Sequence, residues 1–237
     1  VLSWDDALGR ISAWAARRES RYVCISNAHS VVTGSQDPAF GAVLREADMV
    51  TSDGAPVAWM MRRLGAPGQQ RINGPDLMWR YCALAAARGE RIYLYGGTDE
   101  TLALLQPRLR AAFPGLEIAG AVSPPFRKPT HDELARDIAA INASGAGTVW
   151  VSLGCPKQEL WMAAQRGRVR GAGTLSQPFG RTRPDRHQQR RRPSGGSGAG
   201  LGRRRGPSPG HGPAVRERAA GRSPPRRTRG RSPGRRG

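Results

Sequence analysis

Five short runs rich in β-forming residues alternate with segments of helical period, and this alternation limits what the chain can fold into. Arg21–Ser26 reads as a strand, as do 48–52, 91–95, 116–122 and 148–153. Between them the apolar period changes to 3.6. Trp4, Ala7, Leu8, Ile11, Trp14 and Ala15 make one helical face. Asp37 before Pro38 is a helix start, and 55–64 and 75–88 are further helical segments, the second ending at Gly89. Thr98 opens a helix over 99–112 that Pro114 stops. Thr130 and Glu133 form a capping box for a helix to about Ala143, and another helix starts at Pro156. Strands separated by helices imply βαβ units, so the pattern predicts an α/β fold with a mainly parallel sheet.

Charge divides the chain. Of 237 residues, 38 are Lys or Arg and 18 are Asp or Glu, a net charge of +20. Residues 1–169 hold 19 basic and 16 acidic residues, whereas 170–237 hold 19 and 2. Arg, Gly, Pro and Ser make up 49 of those last 68 positions. Such a segment buries too little apolar surface to offset its chain entropy. The composition therefore predicts a folded domain over 1–168 and a disordered basic tail over 169–237.

Several function classes are excluded at this level. No run approaches the ~18 apolar residues of a membrane-spanning helix. The first residues lack the basic and apolar regions of a secretory leader. Cys24, Cys82 and Cys155 are scattered among apolar residues, as reduced buried thiols are, and no His/Cys cluster has metal-ligand spacing. The dinucleotide fingerprint, the phosphate-binding Walker loop and the nucleophile elbow are missing.

Ligands of parallel sheets bind at the carboxyl ends of the strands. Polar and glycine residues collect after four of the predicted strands. Ser26, Asn27 and His29 follow the first, with His29 either an acid–base group or a hydrogen-bonded structural histidine. Asp53 and Gly54 follow the second. A carboxylate there is either a general base or a helix cap. Gly96, Gly97 and Thr98 follow the third, as a phosphate cradle or a tight turn. Pro156, Lys157, Gln158 and Glu159 follow the fifth. Lys157 and Gln158 suit a diphosphate or sugar hydroxyls, unless the segment is simply a helix start with Glu159 at its dipole. Cys155 beside Pro156 is a nucleophile or a small apolar thiol. A polar loop from Arg71 through Gly74 to Asp76 adds a phosphate partner, or else a surface salt bridge.

These six segments, with Ser123-Pro-Pro-Phe126-Arg127 among them, stand in the order and spacing of the WecG/TagA/CpsF glycosyltransferases, which residues 1–168 resemble. The resemblance implies a Rossmann-like fold and metal-independent, inverting transfer of an N-acetylmannosamine-type sugar or related hexose. The donor is a UDP-sugar, with no further cofactor. The acceptor is polyprenyl-diphosphate-linked, in cell-surface polysaccharide synthesis. It implies Asp53 as the general base, with Asn27, Arg71, Gly97 and Gln158 lining the pocket. It also implies a cytoplasmic enzyme held peripherally at the inner face of the membrane. The Ser-Pro-Pro-Phe-Arg segment leans towards exopolysaccharide-type members.

Near Arg168 the resemblance stops and the Arg/Gly/Pro-rich sequence begins. Members continue there with an apolar strand and a basic helical part. Lysine is absent from the tail, and a shifted reading frame in GC-rich DNA gives such a composition. On this reading the chain lacks a strand of its sheet and part of its pocket, and is unstable or inactive as written. The alternative is a nucleic-acid-binding protein whose basic tail carries a salt-dependent affinity.

Overall fold

The structure, a computed structural model, describes residues 1–175. In chain order the elements are α1 (Trp4–Ala16), β1 (Arg21–Ser26), α2 (Ala28–Gln36), α3 (Pro38–Glu46), β2 (Met49–Ser52), α4 (Ala55–Arg63) and α5 (Gly74–Arg88). They continue with β3 (Arg91–Gly96), α6 (Asp99–Ala112), β4 (Glu117–Val122), α7 (His131–Ala143), β5 (Thr148–Ser152), α8 (Lys157–Ala164) and β6 (Ala172–Leu175). The strands form one sheet in the order β2-β1-β6-β5-β3-β4, and all its pairings are parallel.

The inner strands are buried along nearly their whole length, as strands covered on both faces must be. Trp150 on β5 is fully buried and meets Tyr81 of α5 edge-to-face, with ring centroids 5.8 Å apart. The chain steps from β1 to β2 in one direction along the sheet and from β3 to β4 in the other. Right-handed crossovers therefore put their helices on opposite faces. The contacts agree: α3 packs on α2 and α8, while α1 packs on α5.

Two elements depart from the sequence reading. The first is α2. Its sequence, AHSVVTGSQ, has two valines, a threonine and a glycine, all weak helix formers. It is held instead by Asn27, whose side chain accepts from the Ser30 N–H, and by close packing on α3. A Cβ on Gly41 would come within 2.5 Å of the Gly34 carbonyl oxygen, so the two helices meet backbone to backbone.

The second is β6. It spans Ala172–Leu175, beyond the boundary that the composition places at 168. This segment pairs with β1 on one side and β5 on the other, in the middle of the sheet. Gly171, just before it, sits where a Cβ would lie 3.1 Å from the Gly147 carbonyl oxygen, so the small residues at this entry serve close approach. The rest of the basic tail, residues 176–237, lies outside the described residues.

Candidate active site

The carboxyl ends of β1 and β2 make the first half of the site. The Asp53 N–H donates to the Ser26 carbonyl at 2.9 Å, extending the strand pairing by one residue. Asp53 is 7 % exposed. Arg71 Nε donates to the Asp53 carbonyl oxygen at 2.6 Å, and the Ile72 N–H donates to the Ser52 carbonyl at 2.9 Å. The loop before α5 is thereby stitched to the end of β2, so Asp53, Arg71 and Asn73 stand together although they are separated in sequence.

Helix caps differ sharply around the molecule. Ser3, Asn27, Asp37, Thr98 and Thr130 cap α1, α2, α3, α6 and α7 with their side chains. The N-termini of α4, α5 and α8, at Gly54, Asn73 and Pro156, have no such bond. In α8 the Gln158 N–H already donates to the Gly154 carbonyl at 3.0 Å, whereas the first N–H groups of α4 and α5, Pro56 and Pro75 having none, remain to be satisfied from outside the helix. All three helices begin at the carboxyl edge of the sheet. Asn73 stands at a capping position, yet its buried Oδ1 has no hydrogen-bond partner. The same holds for the hydroxyls of Ser26 and Thr51. Sequence reading missed Thr51 and Asn73. An asparagine before Gly-Pro reads as an ordinary cap, and only coordinates show that its side chain does not close the helix.

The second half is built by the β5–α8 turn against α2. Gly154 has φ +81° and the Cys155–Pro156 peptide is cis. Ser30 Oγ of α2 lies 3.8 Å from Cys155 Sγ, joining the turn to the β1 corner. Gln158 and Glu159 point inward, at 7 % and 1 % exposure. Gly154 N–H donates to Gln158 Oε1 at 3.2 Å, and Gln158 Nε2 donates to Glu159 Oε1 at 3.2 Å. Burial pushes the Glu159 carboxyl above the usual carboxylate range. The Cys155 thiol is also raised, by burial and then by the Glu159 charge. His29 and Lys157 are exposed at the rim.

Other expected positions are placed differently. The Gly97 N–H is spent on the Ser152 carbonyl at 3.0 Å. Gly96 has φ +110°, and a Cβ there would meet the Ser152 oxygen at 2.3 Å. Thr98 caps α6, whose first turn carries Asp99 and Glu100. Asp99 and Glu100 thus already meet the positive end of this helix. Asp76 is exposed in the first turn of α5, and Gly74 is buried beneath it.

The opposite, amino edge of the sheet has a small cleft lined by Tyr22, Gln165 and Arg166. Arg21 and Arg166 both donate to Asp48 Oδ1, at 2.8 and 2.9 Å, so its cations are already paired. Among the described residues no group of three His, Cys, Asp or Glu side chains converges to hold a metal ion, and no helix is long and apolar enough to cross a membrane.

The sequence model of the Glycosyl transferase WecG/TagA/CpsF family matches residues 1–177, past the end of β6. An N-acetylglucosaminyldiphosphoundecaprenol N-acetyl-beta-D-mannosaminyltransferase from Bacillus spizizenii is 32 % identical over 150 residues, which is 63 % of this chain and 56 % of the relative. The chain thus spans a little over half the length of the curated relative it matches.

Proposed function

Because the chain belongs to the WecG/TagA/CpsF family of glycosyl transferases, we propose that it moves an N-acetylmannosamine-type sugar or related hexose from a UDP-sugar onto a polyprenyl-diphosphate-linked sugar. The reaction serves cell-surface polysaccharide synthesis, in keeping with the family and with the transferase named for the Bacillus spizizenii relative. The observation that carries this reading is the position of Asp53. It directly follows β2, beside Arg71 and the starts of α4 and α5, which lack side-chain caps.

In this mechanism the Asp53 carboxylate takes the proton of the acceptor hydroxyl as that oxygen attacks the anomeric carbon. The new C–O bond forms on the face opposite the diphosphate, the bond to the diphosphate oxygen breaks, and the configuration inverts. The departing diphosphate carries away the electron pair. Arg71 and the free N–H groups of the helix starts supply positive potential where that charge develops, without a metal ion. Asn27, Gln158 and the rim residues His29 and Lys157 bound the other side of the cleft. Because the acceptor is lipid-linked, the enzyme works at the cytoplasmic membrane surface.

The test is transfer from UDP-N-acetylmannosamine to a polyprenyl-diphosphate-linked N-acetylglucosamine. Asp53→Asn is expected to lower kcat by about 10²–10⁴-fold, with the fold unchanged by circular dichroism. A variant of undiminished kcat would remove Asp53 from the base role.

A further inference from the structure

Glu159 is the most deeply buried carboxylate at the carboxyl edge, and its environment is unlike that of a surface ligand. One oxygen accepts from Gln158 Nε2, while the other, Oε2, is buried without a hydrogen-bond partner. The titratable groups that interact with it are Cys24 on β1, Cys155 in the turn and His29 on α2. Among the described residues no lysine or arginine forms an ion pair or hydrogen bond with it. Gln158 is committed in turn. Its Oε1 accepts from the Gly154 N–H, and its own N–H donates to the Gly154 carbonyl at 3.0 Å. A chain of three contacts therefore runs from Glu159 through Gln158 to the glycine that starts the turn.

We propose that Glu159 is a positioning residue: it fixes the carboxamide of Gln158, and through it holds the turn over 154–156 in the arrangement that meets the nucleotide sugar. The inference rests on the proposed function for its ligand but not for its geometry. A buried carboxylate with an unpaired oxygen is costly. Burial disfavours its charged form, and Oε1 can accept from Gln158 Nε2 in either protonation state. The task is thus to orient a neighbour rather than to carry charge, and support of this kind sets how tightly a site is preorganised.

Cys155, inside the turn, can be labelled selectively because Cys24 and Cys82 are buried; since its thiol also meets Glu159 directly, its alkylation is read together with hydrogen exchange of the Gly154 N–H, which Gln158 holds. The experiment compares the rate of alkylation of Cys155 by iodoacetamide, read by mass spectrometry of the labelled peptide, in the full chain and in Glu159→Ala and Glu159→Gln. Gln keeps an oxygen that can accept from Gln158, carries no charge, and puts an NH2 group in place of the second oxygen. Glu159→Ala is expected to raise the rate about fivefold or more, and Glu159→Gln to leave it within about twofold. UDP affinity, measured by calorimetry, should weaken about tenfold in the Ala variant and recover in the Gln variant. If Glu159→Ala does not fold, Glu159→Asp replaces it, because the shorter side chain withdraws the acceptor from Gln158.

Equal acceleration in the Ala and Gln variants would show that Glu159 acts through its charge on the thiol, and would overturn the proposal. So would an unchanged rate in both. A wild-type chain that binds no UDP would count against the proposed function, while the alkylation rates would still decide the role of Glu159.

Discussion

The two edges of the sheet use polar side chains in opposite ways. At the amino edge they are paired with one another. Asp48 accepts from Arg21, Arg166 and the Tyr22 N–H. Tyr81 donates to Glu90 at 2.6 Å and lies 2.7 Å from the Thr148 hydroxyl, while Ser12 also donates to Glu90 and accepts from Arg88. Burial, reinforced by Glu90, pushes the Tyr81 phenol well above its ordinary range, so it stays a donor. At the carboxyl edge the hydroxyls of Ser26 and Thr51 and one oxygen each of Asn73 and Glu159 are buried without partners. Completed networks hold a fold, and incomplete ones wait for a ligand. The indole N–H groups of Trp150 and Trp161 are also buried without partners, but the unpartnered hydroxyls and side-chain carbonyl and carboxyl oxygens gather at the carboxyl edge.

The contrast can be broken most strongly at Glu90. Replacing it by Ala removes the carboxylate that both the Tyr81 and Ser12 hydroxyls donate to, leaving them only Thr148 and Arg88, and is expected to cost about 2–4 kcal/mol in urea unfolding. UDP affinity should stay unchanged, and a loss of affinity comparable to the loss of stability would erase the distinction between the edges. At the other edge, Thr51→Val removes an unpaired hydroxyl at nearly constant volume. It should leave stability unchanged or raise it by up to about 1 kcal/mol, while UDP affinity falls if that hydroxyl meets the ligand. A clear destabilisation would mean that Thr51 is satisfied within the fold.

The smallest effect sharpens the contrast from outside both edges. Arg127 and the capping contacts to Thr130 hold the exposed Glu133 carboxyl down, at about 2 against an ordinary 4.5. Its folded pKa is depressed, so its contribution is present above pH 4.5 and lost as pH falls towards 2. Acid should therefore fray the start of α7, seen as loss of amide protection at residues 131–134, before it disturbs the buried carboxyl edge. An α7 start that stays protected at pH 2 would contradict this.

The sequence made the repeating parts legible. β1 lies where its run of Tyr, Val, Cys and Ile places it, and α6 and α7 start at the Thr caps the pattern marks. What escaped were elements whose stability is not local. α2 is too poor in helix formers to announce itself and depends on Gly34 and Gly41 crossing closely. β6 shares its glycine and alanine with the basic segment that follows, and only its two flanking strands make it a strand. At the site, the corner residues were visible as types. Their direction was not: whether Gln158 and Glu159 face a ligand or each other depends on the turn at 154–156.

The place of β6 also sets an order of assembly during synthesis. β1 and β2 can pair early, and β3, β4 and β5 can pair separately, but the two groups are neighbours only through the last strand described. A nascent chain released before Leu175 holds two half-sheets with exposed inner edges and no strand to join them, the kind of surface that invites aggregation. The four residues after Gly171 are where the protein becomes one folding unit, late on the ribosome.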